Sequence, residues 1–159
     1  MALVSRPRRP AASDYPEVTV QRMHVDAMAA RMVLRPDTID VVVASNLFAD
    51  ILTDLAAAIQ GGMGMAASAN LAPGRTDVPG LFEPVHGSAP DIAGQGVANP
   101  AGAIWSASLM LDHLGEPEAA SRLLDALATT CYKGPRTRDV AGTATTREVG
   151  DAVAASLRS

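Results

Sequence analysis

Two aspartates in this 159-residue sequence have a type and spacing suited to metal chemistry. Asp50 and Asp54 are four residues apart in "NLFADILTDL", so on a helix their carboxylates lie on one face, one turn apart. The sequence has no lysine or arginine between residues 36 and 74 to neutralise them. Such a pair suits a hard divalent cation, Mg²⁺ or Mn²⁺. The alternative is a solvated acidic face near a helix N-terminus, where the helix dipole favours negative charge.

The segments before these aspartates favour the cation. "IDVVVAS", residues 39–45, is a continuous β-branched run typical of a strand buried on both faces, and the Asp50 helix follows it. Ligands of open α/β sheets gather beyond the carboxyl ends of strands. Asp26 comes at the end of another predicted strand, within "EVTVQRMHVDAM", and supplies a third carboxylate.

The stretch "FEPVHGSAPDIAGQGVANP", residues 82–100, holds three prolines, three glycines and a histidine, which predicts a loop. Small residues in such a loop let backbone amides approach the phosphates of a nucleotide. The Asp91 carboxylate can accept hydrogen bonds from a ribose 2′-hydroxyl and repels a 2′-phosphate, which favours NAD over NADP. The alternative for Asp91 is a turn aspartate that bonds its own backbone after Pro90.

Helical patterns fill most of the remaining chain, so the predicted fold class is α/β. One helix ends before Pro36, and the next begins at Asn46 as its cap and ends at Gly61 and Gly62. Along that second helix, one side is formed by Leu47, Ile51, Leu55 and Ile59. Three further helices are predicted: one from Pro100 to Gly115, one over 117–130, and one from about 145 to 158, capped by Thr145 or Thr146 with Glu148 in its first turn. Residues 62–74 predict one short strand and a turn.

Composition excludes several classes of protein. The sequence is 48% hydrophobic and 19% charged with a net charge of −4, which indicates a globular domain without a basic surface for nucleic acid. No apolar run approaches the length of a membrane span. The single Cys131 excludes an intramolecular disulfide and predicts a semi-buried side chain in a reducing, cytoplasmic protein. Residues 1–14 are interpreted as a basic, disordered tail, and residues 15–159 as the folded domain.

Several long motifs together resemble the metal-dependent β-decarboxylating dehydrogenases, the family of isopropylmalate, isocitrate, tartrate and D-malate dehydrogenases. They are "VDAM", "DVVVASNLFADILTDL", "SANL", "FEPVHGSAPDIAGQGVANP" and "IWSASLMLDHLGE". "SANLAPGR", "LMLDHLGE" and "GPRTRDVAGTATTREV" are most similar to the tartrate/D-malate branch. The resemblance runs from about Tyr15 to the C-terminus. It implies the C-terminal half of an isopropylmalate dehydrogenase-like fold, an incomplete mixed sheet flanked by helices.

The resemblance also implies the site residues and cofactors. The family's three metal ligands fall on Asp26, Asp50 and Asp54, with Asp26 reaching into the site of a dimer partner. NAD is implied as the nucleotide, with Glu83 near the nicotinamide and Asn99 at the adenine. The remaining NAD-binding residues implied are His86, Gly87, Ser88, Ala89 and Asp91. Asp139 either lies near the NAD pocket or has only a structural role in its loop.

The resemblance leaves the chain short of a whole enzyme, because family members are roughly twice as long. The absent half carries the arginines that bind substrate carboxylates and the catalytic tyrosine and lysine. Lys133, Tyr15 and Tyr132 lie outside any catalytic motif, and Ala49 stands where the family commonly has glycine. We therefore weigh three hypotheses. The first is NAD- and Mg²⁺/Mn²⁺-dependent oxidative decarboxylation of a 2-hydroxy diacid (tartrate, D-malate or 3-isopropylmalate) by a split or truncated enzyme, as a homodimer or with a separate N-terminal half. The second is a non-catalytic nucleotide- or metal-binding remnant or interaction subunit. The third is an α/β domain whose motifs are inherited and have no function.

Overall fold

The computed structural model describes residues 2–3, 14–75 and 77–158, which divide into two compact units between Ile59 and Gln60. The first unit contains strands β1 (Ala2–Leu3), β2 (Gln21–Arg22) and β3 (Val42–Val43) and helices α1 (Val25–Leu34) and α2 (Asn46–Ile59). A 3₁₀ turn, Pro36–Thr38, follows α1. The predicted aspartate sites lie in this unit, and the predicted nucleotide loop lies in the second.

The sheet of the first unit is parallel, with the strand order β2-β1-β3. Ala2 lies opposite both Gln21 and Val42, and Leu3 opposite Arg22 and Val43. Ala2 and Leu3 were assigned by sequence to the N-terminal tail; the rest of that predicted tail, apart from Asp14, lies outside the described residues. Met28, Met32 and Leu52 form the buried core of this unit.

Both long strands predicted in this unit are wrong in extent. The run at 39–45 forms a strand only at Val42–Val43, and Val43 is 45% exposed rather than buried on both faces. The strand predicted before Asp26 is limited to Gln21–Arg22, and α1 already begins at Val25. The physical reason is that strand length depends on a hydrogen-bonding neighbour, and β3 is paired over two residues with β1 alone.

Helix α2 begins and ends close to the predicted positions, but its packing differs from the prediction. Asn46 is its first residue and not its cap, because the carbonyl of Ser45 already accepts from the Ala49 amide at 2.8 Å. The buried residues of α2 are Leu52 and Ala57. Three of the four residues on the predicted apolar side are exposed: Leu47 by 68%, Ile51 by 56% and Ile59 by 47%.

The second unit begins with a 3₁₀ turn, Met63–Met65, and an antiparallel pair of strands, β4 (Ala67–Asn70) and β5 (Leu81–Pro84). Ser68 lies opposite Glu83 in their register. The predicted strand and turn within 62–74 are therefore confirmed. The loop predicted over 82–100 was wrong for Phe82–Pro84, which belong to β5. These residues form a strand because β4 supplies hydrogen-bonding partners, and the local sequence with its prolines does not reveal that pairing.

Three helices complete the second unit: α3 (Ala101–His113), α4 (Pro117–Lys133) and α5 (Thr146–Ser156). A 3₁₀ turn, Arg138–Val140, joins the last two. Their shared core contains Ala101, Ala126, Leu127 and Val153, with Trp105 packed against it. No helix of the described residues is long and apolar enough to cross a membrane.

The predicted helix ends in this unit hold to within a few residues. Pro100 is the cap of α3 and not its first residue. Thr145 caps α5 with a full capping box, in which its hydroxyl accepts from the Glu148 amide and the Glu148 carboxylate accepts from the Thr145 amide at 2.7 Å. Between the two predicted candidates, Thr145 is therefore the cap.

Candidate functional site: an aspartate helix and a loop between held ends

Asp50 and Asp54 lie on successive turns of α2, and both are exposed. The first turn of α2 contains no acidic residue, so the helix dipole does not account for the pair. Within the described chain neither carboxylate makes a salt bridge, since the ion pairs there join Arg35 to Asp37 and Arg75 to Asp77. Among the described residues, the hydrogen bond to this pair comes from the Asn46 side-chain amide, which donates to Asp50 Oδ2 at 3.1 Å. Both carboxylates therefore present oxygen atoms to solvent, with no basic side chain of the described residues paired to them.

Asp26 lies in the first turn of α1, where its carboxylate is exposed and accepts the Ala27 amide at 2.8 Å. A first-turn aspartate is stabilised by the helix dipole, so a structural role is available to this residue. The described residues of one chain contain no group of three or more acidic, histidine or cysteine side chains placed to hold a metal ion. A single copy thus offers two carboxylates on α2, and any further oxygen ligands must come from elsewhere.

The donor set on α2 fits Mg²⁺ or Mn²⁺ in kind, because both ions prefer carboxylate oxygens and retain several waters. It does not fit zinc in kind, since zinc sites favour histidine and cysteine ligands and α2 has neither. Asp50 and Asp54 are therefore the residues of this chain best suited to such an ion.

The predicted nucleotide loop is held at both ends, and among the described residues the hydrogen bonds in its middle are local. At its start the Val85 amide donates to the Ala66 carbonyl at 3.1 Å. At its end the Thr146 amide donates to the Gly96 carbonyl at 2.9 Å, and the Thr146 hydroxyl donates to the Ala98 carbonyl. The first turn of α5 therefore fixes the end of a loop some fifty residues earlier in the sequence.

Between these ends the backbone turns sharply. Ala89 has a positive φ of 41°, and Gly94 and Gly96 have φ of 77° and 66°. Glycine adopts this region without strain, whereas alanine does so rarely. A strained alanine at a loop centre is the kind of feature that functional sites retain.

The predicted NAD-binding side chains of the loop are accessible to different extents. Glu83 is exposed on β5, and Gly87, Ser88 and Asp91 are exposed in the loop; His86 and Ala89 are half-buried. His86 Nδ1 lies 3.0 Å from the Gly87 carbonyl. No hydrogen bond within residues 14–75 and 77–158 involves the Asp91 carboxylate, so the turn contact that the sequence left open for Asp91 is not made; its carbonyl instead accepts from the Gln95 side chain at 2.8 Å.

Asn99 belongs to a polar cluster that reaches across three segments of the chain. Its Nδ2 donates to Asp139 Oδ2 at 3.0 Å, and its Oδ1 accepts from the Ala101 amide at 3.0 Å. Asp139 also accepts from the hydroxyl of Thr137, which is 1% exposed. Gly64 packs against this group so closely that a Cβ there would lie 2.8 Å from Asn99 Cβ. We call these four residues, Gly64, Asn99, Thr137 and Asp139, the Asn99 cluster.

Sequence reasoning missed Gly64 and Thr137 entirely and left Asp139 undecided. Its one available signal was the glycine-rich "GGMG" at 61–64, which marks close backbone approach without naming the partner.

A cavity of about 110 Å³ adjoins the Asn99 cluster. Its lining includes Met65, Asn99, Cys131, Thr137 and Val140. Burial raises the pKa of the Cys131 thiol, although nearby Arg136 opposes the shift. A thiol with a raised pKa is a poor nucleophile at neutral pH, which agrees with the semi-buried role predicted for Cys131.

The lysine and the two tyrosines of the described chain lie outside the α2 aspartate pair and the predicted nucleotide loop in the sequence. Lys133 is the last residue of α4 and is exposed. Tyr132 is 79% exposed beside it, and Tyr15 is 59% exposed before β2. None of the three makes a contact that would place it as a general base.

Comparison with known proteins gives the family. The isocitrate/isopropylmalate dehydrogenase family model matches residues 5–153. A probable tartrate dehydrogenase/decarboxylase of Bacillus subtilis is 52% identical over 147 residues, which are 92% of this chain and 41% of that protein. An isocitrate/homoisocitrate dehydrogenase of Thermus thermophilus is 51% identical over 148 residues, 93% of this chain and 43% of that protein.

Solved structures agree with the sequence relatives. The crystal structure of isocitrate dehydrogenase from Methylococcus capsulatus superposes with a TM-score of 0.87 at 42% identity, covering 95% of this chain and 44% of that one. The chain thus spans less than half the length of these relatives. The α/β fold and the predicted relationship are both confirmed, and the chain belongs to the isocitrate/isopropylmalate dehydrogenase family of metal-dependent decarboxylating dehydrogenases.

Proposed function

We propose that this chain supplies the cation-binding and nucleotide-binding part of an NAD- and Mg²⁺/Mn²⁺-dependent dehydrogenase that oxidises and decarboxylates a 2-hydroxy diacid. The observation that carries the proposal is the pair of exposed aspartates on α2, Asp50 and Asp54, which has no basic partner in the described chain of a member of this family. Tartrate or D-malate is the substrate class we favour, with 3-isopropylmalate next. The sequence identity to a tartrate dehydrogenase/decarboxylase and to an isocitrate/homoisocitrate dehydrogenase is nearly equal, so the preference for tartrate or D-malate rests on the motifs and not on overall identity.

The proposed roles follow from where the side chains lie. Asp50 and Asp54 would hold the cation, which when bound supplies Lewis-acid stabilisation of the enolate left after carbon dioxide departs. The loop from His86 to Asp91 would bind NAD through its exposed backbone and through the Asp91 carboxylate. Glu83, exposed on β5, would face the nicotinamide end.

A second copy or a separate N-terminal half is part of the proposal. Asp26 would complete the cation site from another copy, which agrees with its absence from any three-ligand group among the described residues of one chain. The exposed apolar residues Leu47, Ile51 and Ile59 give α2 a surface suited to such an association. We place this assembly in the cytoplasm, because a single cysteine and no disulfide partner suit a reducing compartment.

A non-catalytic nucleotide- and metal-binding subunit is the second candidate. The specific observation in its favour is that Lys133, the one lysine of the sequence, lies exposed at the end of α4 with no contact that would make it a base. Hydride transfer from a hydroxyl carbon needs a base to accept the hydroxyl proton. The two candidates share their binding sites and differ only in turnover.

Reconstitution distinguishes them. The chain is mixed with a purified N-terminal half taken from a relative such as the tartrate dehydrogenase/decarboxylase of Bacillus subtilis, and NADH absorbance is followed with Mn²⁺ and either D-malate or tartrate. Turnover that requires both parts and is lost in Asp54→Asn supports the enzyme. Binding of NAD and Mn²⁺ without turnover supports the subunit, and absence of both binding events contradicts the proposed function in either form.

A further inference from the structure

The polar side-chain atoms of Asn99, a half-buried residue, have partners within the protein. Its Nδ2 donates to Asp139 at 3.0 Å and lies 3.5 Å from the sulfur of Met65, while its Oδ1 accepts from the Ala101 amide. An amide has two donor hydrogens and one oxygen, and here each has a protein partner. Asn99 is therefore placed to hold the end of the loop in position.

Asp139 connects Asn99 to a well-fixed turn. One carboxylate oxygen accepts from Asn99 and the other from the Thr137 hydroxyl. Thr137 is buried, and its carbonyl accepts from the Gly142 amide at 2.9 Å. Because hydrogen bonds to a charged carboxylate are stronger than those between neutral groups, this bridge restrains Asn99 more firmly than a neutral residue would.

Gly64 leaves the space in which the pair meets. A Cβ at this position would lie 2.8 Å from Asn99 Cβ and 2.9 Å from Asp139 Oδ2. Its φ is not positive, so the need for glycine is one of space and not of backbone conformation. Any larger residue at 64 must displace Asn99 or Asp139.

We propose that Asp139 and Gly64 are positioning residues for nucleotide binding, which act only through Asn99 to fix the end of the 85–100 loop. The inference rests on the proposed function, because it presupposes that this loop binds NAD. The role proposed for Asp139, which the sequence left open, is to hold Asn99 through the hydrogen bond between them.

A double-mutant cycle tests the proposal on the full chain. NAD affinity is measured by calorimetry for the unaltered protein, Asp139→Ala, Asn99→Ala and the double variant, with melting temperature recorded by circular dichroism. We expect each single change to weaken NAD binding about three- to tenfold and the double variant to be no weaker than Asn99→Ala alone. Asp139→Asn is expected to restore affinity in part, because its oxygen can still accept from Asn99 but the charge that strengthens this hydrogen bond is gone.

Gly64→Ala approaches the same pair from the opposite side and is expected to weaken NAD binding, because the added Cβ must displace Asn99 or Asp139. Gly150→Ala and Asp151→Asn, both on α5, are the matched controls; a Cβ at Gly150 meets nothing within 4 Å. Both controls should bind NAD as the unaltered chain does.

The outcomes separate this inference from the proposed function. If the unaltered chain does not bind NAD, the proposed function fails first. If it binds, then unchanged affinity in Asp139→Ala, or additive losses in the double variant, overturns the positioning role. Loss of the folded state in both Asp139→Ala and Gly64→Ala would also overturn it, in favour of a purely structural cluster.

Discussion

Asp50 and Asp54 matter as single residues because each contributes a carboxylate that no basic side chain of the described residues neutralises. Asp54→Asn keeps the shape and removes one charged ligand. Even changes in the outer shell of a metal site cost about 10–100-fold in affinity, so we expect Asp54→Asn to weaken Mn²⁺ binding by at least about tenfold. Electron paramagnetic resonance of free Mn²⁺ measures this. Asp151→Asn, an equal charge change on α5, should leave the affinity as it was, and an equal loss in both would contradict a specific site.

Asp91 carries a prediction about which dinucleotide is preferred. Its exposed carboxylate has no hydrogen-bond partner in the described chain and is free to accept from a ribose hydroxyl. Asp91→Ala should therefore weaken NAD binding about three- to tenfold and leave NADP binding equal or tighter. Fluorescence titration with both nucleotides provides the comparison, with Asp125→Ala as the control. A parallel loss for the two nucleotides would show that Asp91 does not read the 2′ position.

The stability of α5 depends on pH through the Glu148 carboxyl. The Thr145 amide and then the Thr145 hydroxyl lower the pKa of the Glu148 carboxyl below its ordinary value of 4.5. A carboxyl whose pKa is lower in the folded state stabilises the fold above its unfolded pKa, and that contribution is lost as pH falls through the folded value.

We therefore expect Glu148→Gln to reduce the melting temperature at neutral pH and to flatten its fall below about pH 4.5. Thermal unfolding followed across this pH range, with Glu17→Gln as the control, measures the effect. Identical pH profiles for Glu148→Gln and the unaltered chain would contradict this role of the capping box.

The helices were largely predictable from sequence, and the strands were not. Thr145 with Glu148, and glycines after helices, are local signals that depend on neighbours within four residues. The run at 41–43 looks like a buried strand, yet Val41 is 54% exposed, because burial of a strand depends on distant segments that must cover it. The same limit applies to the site. Asp50 and Asp54 share a helix, so their proximity was predictable from their spacing, whereas the contacts among Gly64, Asn99 and Asp139 form only after folding.

Helix α2 carries a prediction about association. Leu47 and Ile51 are more than half exposed, a costly arrangement for apolar side chains on one helix. We expect the unaltered chain to self-associate and the Leu47→Gln/Ile51→Gln variant to shift toward monomer. Size-exclusion chromatography with light scattering reports the mass, and Leu114→Gln, at a residue 66% exposed beyond α3, is the matched control. A monomeric unaltered chain at micromolar concentration would contradict the prediction.

At the scale of the whole molecule, the two proposed binding elements lie in different units. The aspartates of α2 belong to the unit before Gln60 and the proposed nucleotide loop to the unit after it. The matched relatives are more than twice as long as the segment they share with this chain. We therefore expect binding to be a property of this chain and turnover to require an N-terminal half as well.

Calorimetric titration of the unaltered chain with NAD in the presence of Mn²⁺ tests the central claim most directly, because it requires no catalysis and no added protein. The account predicts saturable binding of NAD at one site per chain, weakened in Asp91→Ala, and separate saturable binding of Mn²⁺, weakened in Asp54→Asn. A folded chain that shows no heat of binding for either ligand at millimolar concentration would contradict it.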